Sequence, residues 1–276
     1  MSDVASVGFI GLGSQGAPMA RRIIEAGFPT TLWARRPETL EPFADTAASI
    51  AVSPAEVGAA SDLACVCVLD DAGVEEVVSG PNGLLEGMRP GGVIAVHSTV
   101  HPETCARLAE RAAERGVGLV DAPVSGGGPA AEVGSLLVMA AGEAGTVERC
   151  RPVFATYGDP IVHLGPVGAG QRAKLINNLL LAANLGVAES AFALARELGV
   201  DPAQLAVVLS RGSGSSFATG MLPRAGFVLA PMGGKAGPLL QKDARIVAEL
   251  AEANGVKASS VFAAADAALE SMGCAR

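Results

Sequence analysis

Four groups of residues in this chain have the types and spacing to do chemistry. The first is Gly11, Leu12, Gly13, Ser14, Gln15 and Gly16, directly behind an apolar run at 7–10 and directly ahead of a helical pattern at 17–26. A strand, a glycine turn and a helix N-terminus together make an anion site. Glycine lets the backbone approach a pyrophosphate, and the unpaired helix N–H groups point at its negative charge. In a chain with 35 glycines the same pattern could be a tight turn that binds nothing. Its strand-to-helix context near the N-terminus makes a dinucleotide site the leading reading.

The second group lies about twenty residues further on, at the end of the run Thr30-Thr31-Leu32-Trp33. A site for NAD usually carries Asp or Glu at this strand end, to bond the ribose hydroxyls. Here the residues are Ala34, Arg35 and Arg36. A carboxylate would repel a 2′-phosphate, whereas a guanidinium pairs with it bidentately. NADP is therefore the expected cofactor, with NAD as the alternative. The competing reading is that Arg35 and Arg36 are solvated surface charges.

The third group is Asp121-Ala122-Pro123-Val124-Ser125-Gly126-Gly127-Gly128, after another apolar run. Consecutive glycines behind a serine expose backbone N–H groups and a hydroxyl that could nest a carboxylate. Asp121 could cap or brace this loop, and the loop could equally be a flexible turn. The fourth group is Lys174 and Asn178, four apart and so on one face of a predicted helix. A lysine in an apolar helix is costly unless partnered, and burial lowers its pKa from about 10.4 toward the range of a general acid–base. Asn178 has both a donor and an acceptor with which to orient it and a substrate hydroxyl. The bland alternative is a lysine snorkelling from a helix end.

The elements that must position these groups follow an alternating pattern. Strands are expected at 6–10, 30–34, 63–69, 93–97, 117–120, 135–140 and 160–164. Helices are expected at 17–26, 54–60, 73–78, 102–115 and 146–155. The run at 63–69 is almost continuously apolar, as expected for a strand covered on both faces. Such alternation predicts an α/β fold, a doubly wound and mostly parallel Rossmann sheet with ligands at the carboxyl ends of its strands. After residue 165 the texture changes. A helical pattern at 171–198, ~42 Å long if straight, is followed by others at 202–210, 238–254 and 259–272. The chain therefore divides into a dinucleotide-binding domain at 1–164 and an all-α domain at 165–276, joined by the long helix. That helix is apolar nearly all round, which gives the second domain a reason to dimerise, although an intramolecular core could absorb the same surface.

Composition narrows the function class. The chain has 276 residues, 50% hydrophobic and 17% charged, with net charge −8. This ensures a sizeable core and argues against a nucleic-acid surface. No apolar stretch free of charges and glycines reaches spanning length, and Met1-Ser2-Asp3 lacks the basic start of a signal peptide, so neither a membrane nor export is expected. Five cysteines without metal-like pairing read as thiols of a reducing cytoplasm, with Cys65 and Cys67 expected on opposite faces of one strand. Three scattered histidines offer little for a metal centre, and none is expected.

The motifs FIGLGSQGAPMA at 9–20, DAPVSGG at 121–127, GAGQRAKLINN at 168–178 and the pair Lys242-Asp243 occur in that order. In this the chain resembles the β-hydroxyacid dehydrogenase family, which includes 3-hydroxyisobutyrate dehydrogenases and short-chain semialdehyde reductases. The resemblance covers most of the chain. It implies hydride transfer between NADP(H) and a small carboxylated alcohol or aldehyde, with Lys174 as general acid–base and Asn178 as its substrate-orienting partner. It further implies that Gly11, Gly13 and Gly16 cradle the pyrophosphate, with Leu12, Ser14 and Gln15 completing the turn. Arg35 falls where NADP-using relatives carry an arginine, and Leu69 and Thr99 line the ribose and nicotinamide side. Ser125, Gly126 and Gly127 hold the substrate carboxylate, and Lys242 closes over cofactor and substrate. A homodimer or homotetramer is the expected assembly.

Some positions depart from the family pattern. Gln15 replaces a common methionine, and His97 replaces a common aspartate and is read as structural. The stretch 210–238, which shapes the substrate pocket in relatives, deviates most. An imine reductase or a non-catalytic NADP-binding scaffold are the rival readings, and Lys174 with Asn178 disfavours both.

Overall fold

Residues 4–234 and 236–276 are described by a computed structural model. Met1, Ser2 and Asp3, whose composition spoke against a signal peptide, and Lys235 of the deviant stretch lie outside the described residues. The chain divides into two compact units, Met1–Lys174 and Leu175–Arg276.

In the first unit, strands β1 (Val7–Ile10), β2 (Thr30–Trp33), β3 (Ser49–Ile50), β4 (Leu63–Val66), β5 (Val93–Val96) and β6 (Gly118–Asp121) form a wholly parallel sheet in the order β3-β2-β1-β4-β5-β6. Helices α1 (Gly16–Glu25), α2 (Pro54–Ala59), α3 (Asp71–Ser79), α4 (Leu84–Gly87) and α5 (Pro102–Ala113) connect them. This is the Rossmann-like doubly wound architecture. Strand order reverses beside β1, which opens a crevice at the carboxyl ends of β1 and β4.

Alternation along each strand feeds both faces. Val7, Phe9, Leu63, Cys65, Val93 and Ala95 enter one core, while Ile10, Ala64, Val66, Ile94 and Val96 enter the other. Each fully buried Val, Ile or Phe contributes roughly 1.5–3 kcal/mol, so the central strands are pinned from both sides. Local signals start the helices. Ser53 Oγ accepts from Glu56 N–H ahead of α2, the Asp70 carboxylate accepts from Gly73 N–H ahead of α3, and α2 and α5 begin with proline.

A second sheet of β7 (Val124–Ser125), β8 (Leu136–Ala140) and β9 (Gly158–His163) follows, with α6 (Gly127–Glu132) and α7 (Ala144–Phe154). Strand β7 runs antiparallel to β8, and β8 parallel to β9. The second unit is helical. The long α8 (Ala169–Glu197) leads into it, and α9 (Pro202–Leu209), α10 (Phe217–Met221), α11 (Gly237–Ala253) and α12 (Ser259–Ser271) complete it. Helix α8 is long and apolar enough to cross a membrane by length and composition. Its Leu179, Ala182, Leu185 and Phe192 instead fill the core of the second unit, with Leu222, Leu240, Ala244 and Leu269.

Two expectations need correction. Cys65 and Cys67 do not face opposite ways: both pack toward the same core, because residues two apart on an extended chain share a face. Strand β4 also stops at Val66, where its ladder to β1 and β5 ends, so Leu69 lies in the loop beyond it. The short elements β3, β7, α4, α6 and α10 were not expected; none is long enough to display a period.

Candidate functional site

The glycine turn leaves the carboxyl end of β1, and each glycine answers a different constraint. Gly11 has φ +98°, and a Cβ there would overlap the Cys67 carbonyl just past β4. A Cβ on Gly16 would overlap the Gly11 carbonyl, so this residue lets α1 pack onto the turn. Gly13 differs from both. It is exposed, and a Cβ there would meet no protein atom within 4 Å. Among the described residues nothing demands glycine at 13, whereas a phosphate lying on the backbone would. Helix α1 is correspondingly open to an anion, since Gln15 makes no side-chain cap and its first turn holds no acidic residue. Leu12 points its side chain into the core, leaving only its backbone to a ligand.

Neighbouring strand ends bring other expected residues to the same edge of the sheet. Leu69 follows β4 and is 71% exposed, an apolar surface at the crevice. Thr99 follows β5 and is half-buried. The two loops are stitched together, because Val68 N–H donates to Ser98 Oγ at 2.8 Å. Ser125 lies on β7, and the glycines after it open α6. A Cβ on Gly128 would come within 2.6 Å of the Ser14 carbonyl oxygen, so the Ser125–Gly127 loop is seated directly against the glycine turn. Gly126 and Gly127 have φ of +130° and +70°, a backbone that side chains rarely adopt.

At the end of β2, Arg35 Nη2 lies 2.6 Å from Glu76 Oε2 on α3. Arg36 is not gathered with it: its Nε is 3.9 Å from Glu38, and the side chain is well exposed.

The start of α8 is fastened to the sheet. Asp121, fully buried at the end of β6, accepts from Gly168 N–H at 2.6 Å and Gln171 N–H at 2.8 Å. Burial pushes its carboxyl above the usual range, and the two N–H donors oppose that rise. Gln171, also fully buried, accepts from Val100 N–H at 3.0 Å and donates to the Ser98 carbonyl at 2.9 Å. Asp121 therefore caps the long helix rather than its own loop. Lys174, half-buried, stands three residues beyond Gln171 on that helix.

In the second unit, Asp243 links two expected residues. Asn178 Nδ2 donates to Asp243 Oδ2 at 2.6 Å, and the Lys242 ammonium lies 2.8 Å from Oδ1. Asn177 Nδ2 donates to Asn178 Oδ1 at 3.1 Å, so the Asn178 amide is held at both ends. Asp243 is only 3% exposed. Sequence reasoning quoted it beside Lys242 without assigning it a task. A carboxylate in the apolar pattern of α11 was the available signal, since buried charges are paired. Gln171 carried a weaker signal of the same kind, and Glu76 carried none.

His97 is enclosed by Phe9, Phe154 and Tyr157. Its Nδ1–H donates to the Ala122 carbonyl at 2.7 Å, and Nε2 is 3.2 Å from the Tyr157 hydroxyl. Burial lowers its pKa to about 4, so it is neutral at pH 7 and accepts from Tyr157. Among the described residues, no group of three His, Cys, Asp or Glu side chains could hold a metal ion.

Comparison with known proteins adds the following. The family model described as the NAD binding domain of 6-phosphogluconate dehydrogenase matches residues 6–165. The one described as NAD-binding of NADP-dependent 3-hydroxyisobutyrate dehydrogenase matches residues 168–274. A 2-(hydroxymethyl)glutarate dehydrogenase of Eubacterium barkeri is 34% identical over 218 residues, covering 79% of this chain and 72% of that protein. The mitochondrial 3-hydroxyisobutyrate dehydrogenase of Mus musculus is 35% identical over 214 residues, 78% of this chain and 64% of that protein. Among solved structures, the 3-hydroxyisobutyrate dehydrogenase of Mycobacterium tuberculosis with L-serine aligns at a TM-score of 0.83 and 27% identity. That alignment covers 98% of this chain and 94% of the other.

Proposed function

The chain belongs to the β-hydroxyacid dehydrogenase family, and from that premise we propose that it interconverts a small β-hydroxyacid and its semialdehyde with NADP as cofactor. In coarser terms it is an NAD(P)-dependent oxidoreductase acting on a small molecule. The glycine turn fits such a cofactor, because the space above Gly13 is one that a Cβ would occupy and the protein does not use. A bound nicotinamide supplies the hydride acceptor or donor.

The residues divide the remaining work. The backbone of Gly11, Leu12, Gly13, Ser14, Gln15 and Gly16 holds the pyrophosphate. Arg35, with Arg36 nearby, reads the 2′-phosphate, Leu69 and Thr99 line the ribose and nicotinamide side, and Lys242 closes over the cofactor. Ser125, Gly126 and Gly127 hold the substrate carboxylate through a hydroxyl and backbone N–H groups. Lys174 takes the proton from the substrate hydroxyl in oxidation and returns it to the carbonyl oxygen in reduction. Asn178 orients that hydroxyl and is itself oriented by Asp243.

The observation that carries this reading is the fastening of α8. Asp121 and Gln171 tie its first turn to the ends of β6 and β5, the sheet edge from which the glycine turn and the Ser125 loop also arise. A general acid–base needs positioning before it needs a tuned pKa, and the bracing of the turn that carries Lys174 supports that role. The residues 1–164 then form the cofactor domain and 165–276 the substrate and dimerisation domain. The exposed apolar stripe of α8 supports a homodimer, and five free cysteines suit a reducing cytoplasm.

The test is Lys174→Ala, assayed by nicotinamide absorbance over a panel of carboxylated alcohols and aldehydes with NAD and NADP separately. Turnover should fall by about 10²–10⁴-fold while cofactor affinity stays near that of the parent. Turnover close to the parent's would remove the lysine from the mechanism.

A further inference from the structure

Glu76 has no part in the proposed hydride transfer. It lies on α3, the helix that follows β4, and its Oε2 is 2.6 Å from Arg35 Nη2 at the end of β2. In the sheet, β1 stands between β2 and β4. The ion pair therefore joins the segment after β2 to the helix after β4, the two strands that flank β1. Other polar residues of α3 are turned to different work. Glu75 pairs with Arg107 at 2.6 Å, and Ser79 Oγ accepts from Arg111 at 2.8 Å, both tying α3 to α5. Glu76 alone of these reaches toward β2.

The guanidinium proposed to read a 2′-phosphate is thus already held by a carboxylate. The pair is open to water, with the side chains of Arg35 and Glu76 65% and 59% exposed, so opening it costs little. Arg36 is set apart from this pair, its Nε 3.9 Å from Glu38.

We propose that Glu76 is a specificity-determining residue for the cofactor. Its carboxylate competes with the 2′-phosphate for Arg35 and narrows the preference for NADP over NAD; this rests on the NADP assignment above. Two effects act in the same direction. The phosphate must displace Glu76 from the guanidinium, and a carboxylate that stays nearby repels a group that is itself close to dianionic. NAD has no 2′-phosphate and is subject to neither effect. The pair thereby makes the site more tolerant of both cofactors than Arg35 alone would make it.

The test is equilibrium titration of the full chain with NADPH and with NADH, followed by nicotinamide fluorescence, for the parent, Glu76→Gln, Arg35→Gln and the double variant. Glu76→Gln should tighten NADPH about 2- to 5-fold, the upper range of an exposed ion pair, and leave NADH nearly unchanged. The gain should shrink as salt is raised to about 0.5 M, where screening is strong. It should also be smaller in the Arg35→Gln background. Unchanged NADPH affinity in Glu76→Gln, or an equal gain for both cofactors, overturns the proposal while leaving the NADP assignment standing, provided Arg35→Gln selectively weakens NADPH. An Arg35→Gln variant with the parent's NADPH-to-NADH ratio overturns the NADP assignment, and the role of Glu76 with it.

Discussion

Glycines that look alike in a motif are kept for unlike reasons, and the difference can be measured. Gly11 has a positive φ and lies against the Cys67 carbonyl, so Gly11→Ala strains the backbone and damages the fold. A Cβ at Gly13 meets only open space. Gly13→Ala should therefore leave the unfolding midpoint nearly unchanged while weakening NADPH binding by about 10-fold or more, as one lost charge-assisted contact would. Calorimetric titration beside a thermal melt separates the two effects. Full affinity in Gly13→Ala would move the phosphates off the turn. Asp243 makes a similar point about polar residues. Its carboxylate meets Lys242, its neighbour on α11, and Asn178 of α8, so the Asn178 side chain is positioned by a second helix as well as its own.

At the scale of elements, α8 serves two roles at different points along its length. Its first turn is a capped, braced start that holds Lys174 near the sheet edge. Further along, one side fills a core while Ile176, Leu180, Val187 and Leu194 stay exposed. Their spacings of four, seven and seven place them within a stripe about 40° wide at 3.6 residues per turn. A straight apolar stripe of this kind is self-complementary under a two-fold axis, which is how a second copy would cover it. Leu194→Glu should convert a sedimenting dimer to monomer without unfolding the second unit. A wild-type chain that sediments as a monomer at all concentrations would remove the assembly proposal.

At the scale of the whole molecule, His97 couples the core to pH. Its pKa is about 4 in the folded chain and about 6.5 unfolded. Between these values the unfolded state binds the proton that the folded state refuses. Stability from this residue is thus complete above pH about 6.5 and lost as pH falls toward about 4, by roughly 3 kcal/mol in all. Asp121 works with the opposite sign. Its raised pKa makes the folded state hold a proton more readily, a contribution lost as pH rises through its folded value. Urea unfolding of the parent and of His97→Gln across this window isolates the histidine, because Asp121 is common to both. The parent should lose more stability on acidification, and parallel pH curves would contradict the buried neutral imidazole.

The sequence by itself determined the alternation of strands and helices, the glycine turn, the change to an all-helical second part and the family. These rest on local chemistry: periods of 2 and 3.6, turn residues, and motifs whose members lie within a few positions of each other. The tertiary structure decided what depends on long separations. Asp121 could be read from sequence as a brace for its own loop; only folding brings it to the first turn of α8, 47 and 50 positions away. Asp243 meets Asn178 across 65 positions, and Arg35 meets Glu76 across 41. A polar residue's pattern along the chain shows whether it is costly to bury, and its partner is chosen by the fold that buries it. The sequence could therefore name candidates for the chemistry, whereas the residues that hold them in place became visible only when distant segments met.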